Sequence, residues 1–109
     1  MQESIFDTHA CLDTLVMYTT KVEECRDFYT SLGLAFGEEH SPFADGPLRY
    51  SCRMPLGPVL EIHPATDHHR TSDLRLSLAL DVTETNPPLS RGEHLLTDPD
   101  GRKVDVTVL

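Results

Sequence analysis

The sequence predicts a single α+β domain, in which a β-α-β-β-β order over residues 14–64 is followed by a shorter half made of strands. Three observations lead to this fold class. A chain of 109 residues has the length of one compact domain. Residues 22–32 carry apolar side chains at three- and four-residue steps, as along one face of a helix. Residues 74–80 alternate leucine with smaller or polar side chains, as in a strand with one buried face.

The first half opens with a strand over residues 15–19 that leads directly into the helix. Thr20 and Glu23 have the spacing of a capping box, in which the threonine hydroxyl accepts a hydrogen bond from the backbone N–H of the glutamate. Gly33 follows the last apolar residue of the stripe, where helices commonly end on a left-handed glycine. These signals predict a helix over residues 22–32.

Three further strands complete the first module, which covers about residues 12–65. The first of them is predicted over residues 34–39 and is followed by a loop broken by two prolines and a glycine. Residues 48–54 and 59–64 flank the tetrad Pro-Leu-Gly-Pro, a spacing that suits two antiparallel strands. Residues 66–73 are polar throughout, which is typical of a solvated connection.

The second module, about residues 74–109, begins with the leucine-rich strand and ends in a hairpin. Its closing strands, residues 93–97 and 102–109, flank the tetrad Asp-Pro-Asp-Gly at 98–101, whose proline and glycine suit a type I turn. Between the leucine-rich strand and the hairpin, residues 83–92 contain a double proline, which excludes a three-turn helix. The second module is therefore predicted to be shortened.

Successive residues of a strand point to opposite sides, so alternation sorts the strand side chains onto two faces. The leucines of residues 74–80, with Leu60 and Ile62, share the apolar face, and so do the valines of the last strand. The opposite face is polar and supplies the candidate ligand-binding residues Thr14, Tyr18, Glu61, His63, Arg75, Ser77 and Asp105. Polar residues on the outer face of a sheet often meet only water, so a binding role requires the sheet to curve into a cleft.

The charge balance argues against nucleic acid as a partner. Nine Lys and Arg against eighteen Asp and Glu leave a formal charge of −9, whose field repels a phosphate backbone. The sequence has neither a basic leader nor a run of eighteen apolar residues, which predicts a cytoplasmic protein that does not enter a membrane. Three cysteines without CxxC spacing predict reduced thiols rather than a disulfide framework or a zinc knuckle.

Three stretches together resemble the vicinal oxygen chelate superfamily, which includes glyoxalases, bleomycin-resistance proteins and extradiol dioxygenases. They are LVMYTTKVEECRDFYTSLGLAF, GPVLEIHPA and DPDGRKVDV, and in this order they span most of the chain. The resemblance implies paired βαβββ modules whose mixed sheets curl into a cup, with an active site inside that a homodimer often completes. Without its helix, the second module would leave its leucines and terminal valines partly uncovered. Either the first helix spans both sheets or another subunit covers them, and we favour a homodimer in which each shortened half is completed by its neighbour.

Metal-dependent members of the superfamily hold a divalent ion with side chains from the first, fourth, fifth and eighth strands of the pair. Carried over by motif, these positions fall on Thr14, Glu61, Arg75 and Asp105. The guanidinium of Arg75 stays protonated and has no lone pair to offer a cation. The resemblance and this substitution together predict no metal and no cofactor, with Glu61 and Asp105 flanking Arg75 in an ion pair.

An alternative metal site stays open, because imidazole and carboxylate suit zinc or manganese. It would consist of Glu61, His63 and Asp105, with His68 or His69 from the polar connection. The favoured function is metal-free binding of a small molecule by a homodimer. The alternatives are a metal-dependent lyase, isomerase or dioxygenase of the glyoxalase type, sequestration of a cationic drug, and a non-catalytic remnant. No nucleophile and base stand at a usable spacing, so catalytic residues and the ligand are not assigned.

Overall fold

The computed structural model describes residues 10–39, 48–55, 57–67, 73–81 and 85–109. Within these ranges it contains one helix and seven strands, the mixture expected of an α+β domain. In chain order they are β1 (Thr14–Thr19), α1 (Val22–Ser31), β2 (Gly37–Glu39), β3 (Arg49–Arg53), β4 (Val59–Pro64), β5 (Leu76–Leu80), β6 (Gly92–Thr97) and β7 (Lys103–Val108). Each predicted strand is found, although β2 has three residues where six are predicted. Over the described residues, no helix has the length and apolar character needed to span a membrane.

The strands form two sheets that repeat one pairing scheme. In the four-stranded sheet, β1 lies parallel to β4, and β3 lies antiparallel to β4 with β2 beyond it. In the three-stranded sheet, β5 lies parallel to β7, and β6 lies antiparallel to β7. The strands β5, β6 and β7 therefore correspond to β1, β3 and β4. As far as the structure describes it, the second module has no counterpart of α1 or β2, which confirms the predicted shortening.

The two faces of each strand differ in burial, as the alternation predicts. In β4, Leu60 and Ile62 are buried, whereas Glu61 between them is partly exposed. The apolar faces of both sheets contribute to one core, which α1 enters through Cys25 and Tyr29. The two mixed sheets do not close into a barrel but form a cup-like surface.

The predicted capping box at the start of α1 is wrong. A capping box needs Thr20 as the residue before the helix, but α1 begins one position later, so Lys21 takes this place and its side chain makes no capping hydrogen bond. The hydroxyl of Thr19 instead accepts a hydrogen bond from the backbone N–H of Lys21 at 3.0 Å. The predicted end of the helix is confirmed within one residue, since Gly33 has a positive φ of 102°.

The terminal valines are covered within the single chain, which matches the alternative in which the first helix spans both sheets. The three valines of β7 are at most 2% exposed, because they pack in the core that both sheets share with α1. Where a second helix would lie, residues 85–89 run against the end of α1. The Asn86 N–H donates to the Ser31 carbonyl at 2.7 Å, and Leu89 packs against the core. The β5 leucines are less well covered, since Leu76 and Leu78 are only partly buried and Leu80 is 9% exposed.

A buried ion pair in the turn between β6 and β7 links the two modules. The side chains of Arg102 and Asp98 are fully buried, and Nη1 of the arginine donates to Oδ2 of the aspartate at 3.0 Å. The second terminal nitrogen, Nη2, donates to the carbonyl of Tyr18 in β1 at 2.7 Å and pairs with Asp100 at 3.1 Å. From α1, the hydroxyl of Tyr29 donates to the same Asp98 oxygen at 2.7 Å. The turn is thus bonded to the first strand and to the helix.

The turn itself closes as the sequence predicts, with the Gly101 N–H donating to the Asp98 carbonyl at 3.0 Å. The Asp98 carboxylate also accepts hydrogen bonds from the backbone N–H groups of Asp100 and Arg102, both at 2.9 Å. Burial and the hydrogen bond to Asp98 raise the pKa of the Tyr29 hydroxyl, so it keeps its proton and donates. The hydrogen bonds to Asp98 and Arg102 offset the free-energy cost of burying their two charges.

Replacement of Asp98 by alanine is expected to lower the free energy of unfolding by roughly 3–5 kcal/mol, because it removes a fully buried carboxylate that pairs with the buried Arg102. Urea unfolding followed by circular dichroism measures the change. The matched control, Asp67→Ala, removes an exposed carboxylate and should stay within about 0.5 kcal/mol of the parent.

A loss equal to that of the control would contradict the role given to this ion pair. If the Asp98 variant does not fold, Tyr29→Phe removes a single hydrogen bond to the same carboxylate. It is expected to cost roughly 1.5–3 kcal/mol, the range for a hydrogen bond to a charged group.

Candidate ligand-binding face

The repeated pairing scheme places the predicted site residues at equivalent points of the two sheets. In the register of the parallel strand pairs, Glu61 of β4 corresponds to Asp105 of β7. Thr14, at the start of β1, corresponds to Arg75, which comes one residue before β5. The four positions selected by the resemblance are therefore two equivalent pairs, one in each module.

Arg75 and Asp105 form a two-pronged ion pair on the second sheet. Nε of the arginine donates to Oδ2 at 2.7 Å, and Nη2 donates to Oδ1 at 2.9 Å. The hydroxyl of Ser77, directly opposite Asp105, donates to Oδ2 at the longer distance of 3.5 Å. The Arg75 side chain is 63% exposed and that of Asp105 is 37% exposed, so the pair lies at the surface. Such parallel bonds fix the plane of the guanidinium.

The ion pair shifts the pKa values of Arg75 and Asp105 in the directions that keep both side chains charged. The hydrogen bonds from Arg75 lower the pKa of the Asp105 carboxyl, and the same bonds raise the pKa of Arg75. Because the folded-state pKa of Asp105 is lowered, the pair stabilises the fold above the ordinary aspartate pKa of about 3.9, and this contribution is lost as the pH falls through the lowered value. Solvent screening keeps the contribution small.

A second polar cluster lies on the first sheet. Nε2 of His63 lies 2.7 Å from Oε1 of Glu61, and the two side chains are 14% and 22% exposed. Tyr18 lies directly opposite His63 across the parallel strands. The two rings meet edge to face, with centroids 5.5 Å apart and an interplanar angle of 79°. Three of the predicted residues are thus brought together.

The predicted ion pair around Arg75 is only half formed. Asp105 binds the guanidinium, but the carboxylate of Glu61 bonds His63 instead. The topology explains this, because His63 is two residues away on the same face of β4, whereas Arg75 belongs to the other sheet. Thr14 lies exposed at the start of β1.

The alternative metal site is not assembled in the part of the chain that the structure describes. There, no three His, Cys, Asp or Glu side chains lie close enough together to hold a metal ion. His68 and His69 lie outside the described residues. Arg75, at one of the four positions taken from the resemblance, has no lone pair to offer a divalent ion.

Sequence reasoning missed Leu95, which lies directly opposite Asp105 and is 62% exposed. Two consecutive leucines occur here, and either of them could face outward in a strand. The structure turns Leu96 towards the core and Leu95 towards the polar face. A shallow depression around it is lined by Ser77, Glu93, His94, Leu95, Asp105, Val106 and Thr107.

Several solved structures are similar to this chain over nearly its whole length. The oxidase ChaP-H2 matches with a TM-score of 0.65 at 11% identity, over 94% of this chain and 95% of its own. A protein from the mobile metagenome of V. Pseudocholerae matches with a TM-score of 0.64 at 17% identity, over 94% and 96% of the two chains. A glyoxalase/bleomycin resistance protein from Albidiferax ferrireducens matches with a TM-score of 0.58 at 16% identity, over 90% and 98%.

No protein-family model matches the sequence, and no curated protein matches it. The similarity is therefore one of fold. The chain has the fold of the solved glyoxalase/bleomycin resistance protein, which is the fold that the sequence motifs predict, with a shortened second module. The similar structures are covered almost completely, so the fold is matched as a whole rather than through a single module.

Proposed function

We propose that the protein binds a small molecule on its polar face without a metal ion, and that Arg75 holds an acceptor group of the ligand. The observation that carries this proposal is the two-pronged pair of Arg75 and Asp105 at a position where metal-dependent relatives keep a ligand. A guanidinium at that position repels a cation and donates hydrogen bonds to a carboxylate or carbonyl oxygen.

Arg75 keeps donors for a ligand after it has bound Asp105. A guanidinium has five N–H donors, and Asp105 uses two of them. Since most of the side chain is exposed, the remaining donors can reach a ligand oxygen. Asp105 already fixes the guanidinium plane, so little conformational freedom is lost on binding.

The surroundings of this pair suit a small molecule with both polar and apolar parts. Ser77 and Thr107 supply hydroxyl groups along the depression, and Leu95 supplies an exposed apolar side chain. Polar groups of this kind orient a ligand, while apolar contacts contribute affinity.

The other functions are less well supported. A metal-dependent lyase, isomerase or dioxygenase would need a ligating side chain in place of Arg75. Sequestration of a cationic drug would gain from the net charge of −9, but aromatic residues make up only 6% of the chain and there is no tryptophan to stack on a planar drug. The oxidase among the similar structures shares 11% identity, which supports the fold and not the activity.

We also propose that the protein acts as a cytoplasmic homodimer joined through β6. Among the described strands, β6 lies at the edge of its sheet, where unpaired backbone groups can bond another strand. Leu95 on this strand is exposed and lies next to Asp105. A second copy docked along β6 would cover the outer part of Leu95, and the rest of this side chain would still border the ligand site.

Arg75→Gln is expected to weaken the binding of benzoate at least tenfold, because it removes the charged donor. A thermal-shift screen of benzoate and inorganic phosphate against the cationic dye proflavine, followed by calorimetric titration, measures this. Arg91→Gln is the matched control, since Arg91 is also exposed, and it should bind like the parent. Equal benzoate affinity in both variants would contradict the proposal, and stabilisation by proflavine alone would favour drug sequestration.

Light scattering is expected to give the parent twice the mass of one chain at micromolar concentration. Leu95→Glu should shift it to a monomer, because a buried unpaired carboxylate at the interface is costly. Leu12→Glu changes a leucine of similar exposure, 65%, away from β6 and should leave the mass unchanged. A parent that is monomeric at every concentration would rule out the homodimer.

A further inference from the structure

Glu61 and His63 have a hydrogen-bond geometry that leaves one ring nitrogen available to a ligand. The carboxylate accepts the hydrogen bond at Nε2, at 2.7 Å. Because a carboxylate can only accept, Nε2 must carry the hydrogen, and in the neutral tautomer that this bond selects, Nδ1 is an acceptor. Glu61 thus selects the tautomer of His63 in the way a carboxylate orients a working imidazole.

Nδ1 of His63 takes no part in the hydrogen bond to Glu61. The bond to Glu61 is the hydrogen bond that the structure records for this side chain. Among the described residues, every buried polar side-chain atom has a hydrogen-bond partner. Nδ1 has none among these residues, so it is not completely buried within the side chain, which is 14% exposed.

Tyr18 places an aromatic ring beside this acceptor. It lies opposite His63 in the strand register, and its ring meets the imidazole edge to face at 5.5 Å. An acceptor next to an aromatic ring suits a planar molecule, because the ring packs against it while its O–H or N–H donor reaches the nitrogen.

The second module shows that the fold does not require this cluster. Where the first sheet has Tyr18 opposite His63, the equivalent positions of the second sheet are Ala79 opposite Thr107. The second sheet forms the same strand pairing with these small side chains. The imidazole and the aromatic ring are therefore features of one module and not of the pairing scheme.

We infer that Tyr18, Glu61 and His63 form a binding site for an uncharged planar molecule whose O–H or N–H group donates to Nδ1 of His63. This inference names a ligand class for the polar face and rests on the proposed binding function. An anionic group is disfavoured at this point, because the carboxylate of Glu61 repels it. The acceptor at His63 is complementary to the donor at Arg75.

Phenol and anisole form a matched pair of probes, since the methyl ether keeps the ring but lacks the donor. In long-range ¹H–¹⁵N spectra of the whole protein, phenol is expected to shift the Nδ1 resonance of His63, and anisole is expected to bind at least fivefold more weakly. His63→Phe should weaken phenol binding at least fivefold. Arg91→Gln is the control and should bind phenol like the parent, because Arg91 is exposed and lies outside this cluster.

Equal binding of phenol and anisole, or unchanged phenol binding by His63→Phe, would overturn the inference. If His63→Phe does not fold, Glu61→Ala keeps the ring but releases the tautomer, and it should weaken phenol binding at least twofold; unchanged affinity would again overturn the inference. Failure here is distinguishable from failure of the proposed function. If only the inference about His63 is wrong, benzoate binding still depends on Arg75 while phenol binding does not depend on His63. If only the proposed role of Arg75 is wrong, Arg75→Gln leaves benzoate binding unchanged while phenol binding still depends on His63.

Discussion

The buried guanidinium of Arg102 holds the two modules in one arrangement. Its charge is balanced by Asp98 and Asp100, and its hydrogen bonds reach the backbone of β1, while Tyr29 of α1 bonds the same carboxylate. A buried charge that loses its partners costs several kcal/mol, so the turn, the strand and the helix are constrained together. This constraint lets one helix serve a core that includes the apolar faces of both sheets.

Because the apolar faces of both sheets pack in one core, the groups that are available to a ligand lie on the polar faces. The two modules use equivalent positions differently. In the first, the carboxylate of Glu61 bonds the ring of His63, and in the second, the carboxylate of Asp105 bonds the guanidinium of Arg75. Each sheet thus presents a carboxylate that is hydrogen-bonded to a partner. The partner is an imidazole in the first sheet and a guanidinium in the second.

The features that sequence predicted correctly depend on neighbouring residues. The burial of Leu60 and Ile62 around Glu61 follows from the two-residue period of a strand, and the sequence motifs give the fold. The features that it missed depend on distant contacts. The partner of Glu61 depends on how the sheets lie, and Arg102 bonds the Tyr18 carbonyl 84 residues away, although it reads as an ordinary residue after a turn. The burial of the β7 valines likewise depends on where α1 packs, which neighbouring residues do not determine.

The most direct test of metal-independent binding is a measurement of metal content. The protein is incubated with an excess of Zn²⁺, Mn²⁺ or Fe²⁺ and desalted, and the retained metal is measured by mass spectrometry. We expect far less than one equivalent of each ion, because Arg75 offers it no lone pair. If one equivalent of metal is retained by the parent and lost in Glu61→Ala or Asp105→Ala, the proposal of metal-independent binding is contradicted.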